Sequence, residues 1–566
     1  MMKKLSAVCA LLAMASASFA PGPWSLIELN LQTSSESGQA PSTADGSGGI
    51  LRKQNPKFPP FRMSVPVDHF HNDSRYEPHS DEMFDLWYWI DYSFYQPGAP
   101  VFLFQAGENL EGGQSEILEK GMLHDLKAST GGMLVVLEHR YYGNSIPTKD
   151  LSTQNLRFLS TEQAVADMAY FAKNIKYAGL ESQNLTAADV PYIVYGAGYG
   201  GTLAAVARKI YPDVFWASIA SSAIVEPIAD MWSYYEPIRV YADQKCIAYQ
   251  QKVVNMIDNI LLRGKNPAIT ARLKGAFGLA SLTHEDDFAH IATAMGVTSW
   301  QRRNWAPDQH DPDFDEFCGN ITSSHVLHEN TKRLRGTVAD LITAGGYGSE
   351  VGQLSTPLMN WIGWMANFLQ RCHDSLDNCY SLHDRPLYQL HDLEQIWRPW
   401  FYQVCTEWGL WTTGASYPQG QLPLISRVID LDYSSQICKH AYGITTPPNL
   451  DAVRKYGGFK LSYPRLAFID GEQDPWRPVG VHASPFNPTV LNRTDTASEP
   501  FLLILGAGHH WDVNGVLPHE RVDYPPNYLP PPMIRDAQSL ALMYVQQWVM
   551  EWEVALMSKN QKREEE

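Results

Sequence analysis

The sequence predicts an α/β fold, with a mainly parallel sheet and a large helical insertion, from three observations. Short apolar β-branched and aromatic runs at Val101 to Gln105, Met133 to Glu138 and Tyr192 to Tyr195 are separated by an amphipathic helical stretch, the alternation that feeds a parallel sheet. The third run breaks into the glycine cluster Gly196-Ala197-Gly198-Tyr199-Gly200-Gly201 and then into the helix-forming Leu203 to Ile210, which reads as strand, tight turn, helix. Two later apolar runs, Arg465 to Asp470 and Phe501 to Leu505, each end in a polar loop.

The chain has 566 residues, 44% of them hydrophobic, enough for a large core and for roughly two to four domains' worth of material. A formal net charge of -17 excludes nucleic acid and anionic membrane surfaces as natural partners. It fits a soluble protein of an acidic or extracellular setting and leaves a homodimer open.

The first residues form a targeting segment. Lys3 and Lys4 precede the apolar Leu5 to Ala13, and Ala15-Ser16-Ala17 supplies an A-x-A cleavage site, so residues 1–17 read as a secretory signal peptide. That places the protein outside the cell or in a vacuolar or lysosomal lumen. Residues 18–60, rich in Ser, Gly and Pro between Gln32 and Pro60, read as a flexible leader with little to bury. No later segment is apolar enough to be expected to cross a bilayer.

Secretion sets the reading of the cysteines. With Cys9 removed, Cys246, Cys318, Cys372, Cys379, Cys405 and Cys438 remain, an even number in an oxidising compartment, which favours disulfides over metal ligation. Six cysteines allow about fifteen connectivities. Cys372 with Cys379 closes a short loop and is the first choice; Cys246 with Cys318 and Cys405 with Cys438 follow only by elimination. Asn72, Asn184, Asn320 and Asn492 stand in N-x-S/T triplets and are candidate glycosylation sites.

Folded structure is expected from Phe61, and residues 61–225 form the first part of the α/β unit. Its helix after the second strand starts with Ser160 as N-cap and Gln163 at the capping-box position, shows Val165, Met168, Phe171 and Ile175 on one face, and is expected to stop at Gly179. Phe215 to Ala223 reads as the next strand. Residues 226–440 carry long helical patterns, such as Tyr249 to Leu262 and Leu354 to Gln370, and all six mature cysteines, and are read as the helical insertion. Residues 441–566 complete the α/β unit and end in an amphipathic helix, Ile534 to Met557.

The glycine cluster has the frame of a nucleophile elbow, the G-x-S-x-G turn of α/β-hydrolases that lifts a serine above the sheet. Gly196 and Gly200 are in place, but the centre is Gly198. The late loops contribute Asp474 in IDGEQDPW and His509 in GAGHHWD, giving the order elbow, acid, histidine of an α/β-hydrolase triad. His510 and Asp512 are the neighbours most easily confused with this pair. His284 and His290 in HEDDFAH are six residues apart and do not share a helix face as HExxH requires; they are read as part of a surface helix, and no metal or other cofactor is expected.

Five stretches resemble the serine carboxypeptidase family that contains lysosomal Pro-Xaa carboxypeptidase, dipeptidyl peptidase II and thymus-specific serine protease. They are PVDHF (66–70), LEHRYYGNSIP (137–147), LSTEQAVADMAYF (159–171), GAGYGG (196–201), and the pair DGEQDPW and GHHWD; YQVCTEWG (402–409) resembles a further family stretch. The resemblance implies an α/β-hydrolase core with a helical insertion and cleavage of short proline-containing peptides. It places the nucleophile at Gly198, the acid at Asp474, the histidine at His509, and an oxyanion hole at the Tyr199 N–H with a second donor from the Gly107-Glu108 loop. A glycine at 198 removes the hydroxyl that would form an acyl-enzyme. Two readings follow: a secreted peptidase homologue with lost or greatly reduced hydrolysis, and a pseudoenzyme that binds peptides or a partner protein in the former cleft.

Overall fold

The computed structural model describes residues 57–108, 114–264, 266–383 and 385–565. The signal peptide and most of the leader lie outside them. Eight strands form one sheet in the order β1 (Phe61–Pro66), β2 (Met83–Asp91), β4 (Met133–Leu137), β3 (Val101–Gln105), β5 (Tyr192–Ala197), β6 (Phe215–Ser221), β9 (Leu466–Gly471) and β10 (Phe501–Ile504). All pairings from β4 to β10 are parallel, whereas β1, β2 and β4 pair antiparallel. This is an α/β-hydrolase core.

The central strands are buried on both faces, as strands covered by helices must be. In β5, Tyr192 and Val194 pack into one core with residues of α3 (Thr161–Asn174) and α4 (Tyr199–Ile210). Ile193 and Tyr195 point into a second core. There they meet Leu118 of α1 (Gln114–Glu119), Met122, Leu123 and Leu126 of α2 (Met122–Thr130), and Trp548 of the last helix, α11 (Pro532–Glu565). The alternation along one strand therefore fixes three layers.

The antiparallel strands β1 and β2 are additions to the sequence reading, which places no strand before Val101. Two helix details also change. Ser160 caps α3 through Gln163 N–H at 3.2 Å, but the Gln163 side chain reaches Asp68 and His69 instead of returning to the cap. The helix ends at Asn174, with Ile175 as its C-cap, well before Gly179.

Between β6 and β9 the chain is largely helical, including α5 (Gln244–Asp258), α6 (Glu285–Thr298), α7 (Asp313–Thr322), α8 (Val351–Phe368), α9 (Arg398–Gln403) and α10 (Leu431–Tyr442), with a two-stranded parallel pair, β7 (Ile228–Asp230) and β8 (Gly409–Trp411). Disulfides Cys246–Cys318, Cys372–Cys379 and Cys405–Cys438 staple it. The HEDDFAH segment does not lie on a surface helix: Asp287 and His290 in α6 are buried. Asp287 Oδ1 accepts from the Leu382 N–H at 3.0 Å and the Tyr433 hydroxyl at 2.9 Å, so one oxygen of this buried carboxylate is held inside the insertion.

Candidate active site

The elbow is built by backbone contact. A Cβ on Gly200 would lie 2.6 Å from the Gln105 carbonyl oxygen, one on Gly201 would lie 2.7 Å from that of Ser221, and one on Gly196 would overlap the Gly200 carbonyl. These three positions bring β5, α4 and the ends of β3 and β6 together, which only glycine permits. Gly198 is different. Its φ of 56° and ψ of -125° are unfavourable for a residue with a side chain, yet among the described residues a Cβ there would meet only His509, Nε2 at 3.5 Å and Cε1 at 3.9 Å.

His509 follows β10 and Asp474 follows β9, and their side chains meet in a buried pair, His509 Nδ1 to Asp474 Oδ2 at 2.8 Å. The acceptor is a carboxylate, so Nδ1 carries the proton and Nε2, facing Gly198, is the free basic nitrogen. Burial alone would raise the Asp474 carboxyl, but His509 beside it, the Trp476 N–H at 2.8 Å and the Ser222 hydroxyl hold it below the ordinary value. The Ser222 hydroxyl also accepts from the His510 N–H at 2.8 Å.

The neighbours separate cleanly. His510 is half-buried, and its desolvation pushes its pKa down to about 3, so it stays neutral. Asp512 accepts from the Tyr195 hydroxyl at 2.5 Å and the Ser221 hydroxyl at 2.6 Å, under the sheet end, and burial pushes it up to about 6. A second buried pair absent from the sequence reading, His482 Nδ1 to Asp470 Oδ2 at 2.6 Å, stacks its imidazole on Phe501 at 3.6 Å.

Tyr199, directly after Gly198, starts α4 with its side chain locked. His139 Nδ1 lies 2.7 Å from the Arg140 carbonyl and must donate to it, and burial lowers this imidazole to about 4, so it is neutral and its Nε2 accepts from the Tyr199 hydroxyl at 3.1 Å. Gln403 Nε2 donates to the same hydroxyl at 2.7 Å, and Gln403 Oε1 accepts from Tyr142 at 2.6 Å. This directed chain fixes the backbone N–H of Tyr199. Across it, Gly107 (φ 66°) approaches the elbow, since a Cβ on Gly107 would lie 3.0 Å from Gly200 N. Half-buried Glu108 is pushed up to about 7 by burial, against the opposing pull of His509; residues 109–113 of this loop lie outside the described residues.

The remaining motifs form one buried scaffold. Arg140 grips Asp167 with two bonds, Nε to Oδ2 at 2.6 Å and a terminal nitrogen to Oδ1 at 2.7 Å, and donates to the carbonyls of Pro66, Val67 and Phe158. His69 Nε2 lies 2.7 Å from Asp167 Oδ1. Glu407 accepts from the Thr161 N–H and hydroxyl at 2.8 and 3.0 Å. The stretches at 66–70, 137–147, 159–171 and 402–409 are thus mutual supports for the elbow.

The insertion reaches the same loops. Trp300 Nε1 donates to the Gln473 carbonyl at 2.9 Å, Trp476 Nε1 to Gln301 at 3.0 Å, and Trp305 and Trp511 exchange indole bonds with the Trp511 and Arg303 carbonyls at 2.8 Å. Of the candidate glycosylation sites, Asn72, Asn184 and Asn492 are exposed, whereas Asn320 is half-buried and donates to the Glu316 carbonyl at 2.8 Å.

A family model described as serine carboxypeptidase S28 matches residues 66–523. The chain belongs to this serine peptidase family. Its relatives include a probable extracellular serine carboxypeptidase of Arthroderma benhamiae, 43% identical over 88% of this chain and 69% of that protein. The thymus-specific serine protease of Mus musculus is 27% identical over 76% of this chain and 79% of its own. Among solved structures, a proline iminopeptidase of Mycobacterium smegmatis aligns over 87% of this chain and 99% of its own at 13% identity, with a TM-score of 0.29. Among the described residues no helix is long and apolar enough to cross a membrane.

Proposed function

We propose that this S28 chain is a secreted peptidase homologue that holds short proline-containing peptides in the cleft at Gly198 and hydrolyses them at a greatly reduced rate or not at all. The observation that carries the reading is the asymmetry among the elbow glycines. Positions 196, 200 and 201 are closed to any side chain by neighbouring backbone, while 198 has room for a Cβ aimed at His509. Glycine at 198 relieves backbone strain and costs the fold nothing, but it deletes the oxygen that attacks the scissile carbonyl.

The other parts of the reaction are supported by geometry. His509, oriented by Asp474, is the base that would take a hydroxyl proton, and the N–H groups of Tyr199 and of the Gly107-Glu108 loop are the donors for a tetrahedral oxyanion. Loss of a triad nucleophile leaves about 10³–10⁴-fold over water from the hole and binding, against a fall of roughly 10⁶ in kcat. The insertion packed on the acid and histidine loops also supports a second reading, a pseudoenzyme that binds a peptide or a partner protein there. Release into the extracellular space or a vacuolar or lysosomal lumen follows from the signal segment and the extracellular relative.

The test is hydrolysis of fluorogenic proline-containing di- and tripeptides at acidic pH, with fluorophosphonate labelling, by the purified chain. Turnover at the rate of a serine-bearing peptidase would overturn the reduced-hydrolysis reading. Saturable peptide binding without turnover would select the second.

A further inference from the structure

The connection between β1 and β2 gathers ligand-type side chains that the cleft does not use. Asp68, His71 and His79 offer ligand atoms all within 4.8 Å of one another, and Asp81 Oδ1 lies 3.8 Å from His71 Nδ1. The spacing Asp-x2-His-x7-His-x-Asp keeps all four within one loop, whose ends are tied by Val67 N–H to the Glu82 carbonyl at 3.0 Å.

One of the four is fixed from outside the loop. The Asp68 side chain is fully buried, and its Oδ1 accepts from the Phe70 N–H and from Gln163 Nε2 of α3, both at 2.8 Å. Oδ2 is thereby turned toward His79 Nδ1 at 2.7 Å. A carboxylate held by second partners, with its other oxygen facing imidazole nitrogens, is the arrangement that orients a metal ligand. His71 and Asp81 are exposed and free to close from the solvent side.

Ring geometry separates this cluster from the other one of similar composition. Two imidazoles on one tetrahedral zinc ion, with Zn–N of about 2.0–2.1 Å, hold their ring centres about 5 Å apart. His71 and His79 stand at 5.5 Å with planes 26° apart. In the cluster of His284, Asp286 and His383, the histidines stack face to face with ring centres 3.6 Å apart, too close for both nitrogens to point at one ion.

We infer that Asp68, His71, His79 and Asp81 form a structural binding site for a divalent zinc-class cation. Two neutral imidazoles and two carboxylates suit such an ion in donor type and balance its charge. The site clips the loop to α3 next to the Arg140–Asp167 scaffold. It lies at the sheet edge, with β2, β4 and β3 between β1 and the elbow strand β5, which makes it structural.

The test is titration of ZnCl₂ into the full chain, free of any histidine tag and stripped with EDTA, followed by calorimetry and by the visible absorption of a Co²⁺ complex. Expected are one Zn²⁺ per chain, a tetrahedral cobalt spectrum, and at least a tenfold loss of affinity in both His71→Ala and Asp81→Ala. These two exposed substitutions should leave the EDTA-treated melting temperature unchanged, which separates lost ligation from misfolding. His284→Ala should bind as the parent does. Absence of zinc binding by the parent, or binding that His71→Ala and Asp81→Ala leave intact, would overturn the assignment.

Discussion

Gly198 and His509 face each other across room for one side-chain carbon: a Cβ at 198 would lie 3.5 Å from Nε2 of the imidazole, whose opposite nitrogen is held by Asp474 at 2.8 Å. The pair defines what the elbow has kept and what it lacks. The base and its orienting acid remain, and the hydroxyl between base and substrate does not.

The elbow glycines should therefore respond unequally to a methyl group. Gly198→Ala is expected to fold, at a cost of about 1–3 kcal/mol for a side chain at positive φ. Gly200→Ala drives a Cβ into the Gln105 carbonyl of a central strand and should fail to give soluble protein or melt far lower. Thermal unfolding of the two variants checks this, and equal melting temperatures would argue against the close backbone approach.

Removing the Tyr199 hydroxyl should strip two buried partners at once. Tyr199→Phe leaves His139 Nε2 and Gln403 Nε2 facing a ring edge, and is expected to cost about 1–3 kcal/mol. Introduced beside Gly198→Ser, it should lower kcat more than it raises KM, because it loosens the N–H that faces the oxyanion. A parent-like melting temperature and kcat would show that the hydroxyl chain does not hold the elbow.

Three buried carboxyls should each favour the folded chain as the solution is made mildly acidic. Burial pushes Glu407 up to about 7 and Asp258 and Asp512 up to about 6. Between the unfolded carboxyl value near ~4 and those folded values, the folded chain holds protons that the unfolded chain has released. Their contribution is present in full below the unfolded value and is lost as pH rises through 6 to 7. Asp167 and Asp474 act in the other direction. Burial raises each, but Arg140 and His509 respectively bring the net value below the ordinary one, so their stabilisation is lost only as pH falls below about 4. His139, His290 and His510, which burial lowers to about 4, 3 and 3, oppose the three raised carboxyls below the unfolded imidazole value of about 6.5, so the carboxyl part is read by difference: Glu407→Gln should lose less melting temperature than the parent between pH 5 and pH 7.5. A Glu407→Gln chain whose melting temperature changes between pH 5 and pH 7.5 just as the parent's does would contradict the assignment.

The sequence makes the local part of this architecture legible. The elbow, the Ser160 cap and the ends of the central strands are set by turn chemistry and period within a few residues, so the order of Gly198, Asp474 and His509 is readable without a structure. What is hidden depends on distant partners. Gln403 holds Tyr199 from 204 residues away, and α6 looks like a surface helix because its acidic Asp287 is in fact buried, with Oδ1 held by Leu382 and Tyr433 from distant segments. The antiparallel strands β1 and β2 escape the reading because β1 is mostly only partly buried and polar residues interrupt both runs. The shortened helix α3 ends at a turn toward Ala187, whose N–H meets the Ala172 carbonyl at 2.8 Å, instead of at a glycine.

The most direct test of the account is fluorophosphonate labelling of the parent chain and of Gly198→Ser, followed by turnover on proline-containing fluorogenic peptides. The parent should remain unlabelled and show little or no turnover, while Gly198→Ser should gain both and lose them again when His509→Ala is added. Parent activity that His509→Ala abolishes would contradict the account, and a folded Gly198→Ser that neither labels nor turns over would show that the site lacks more than one hydroxyl.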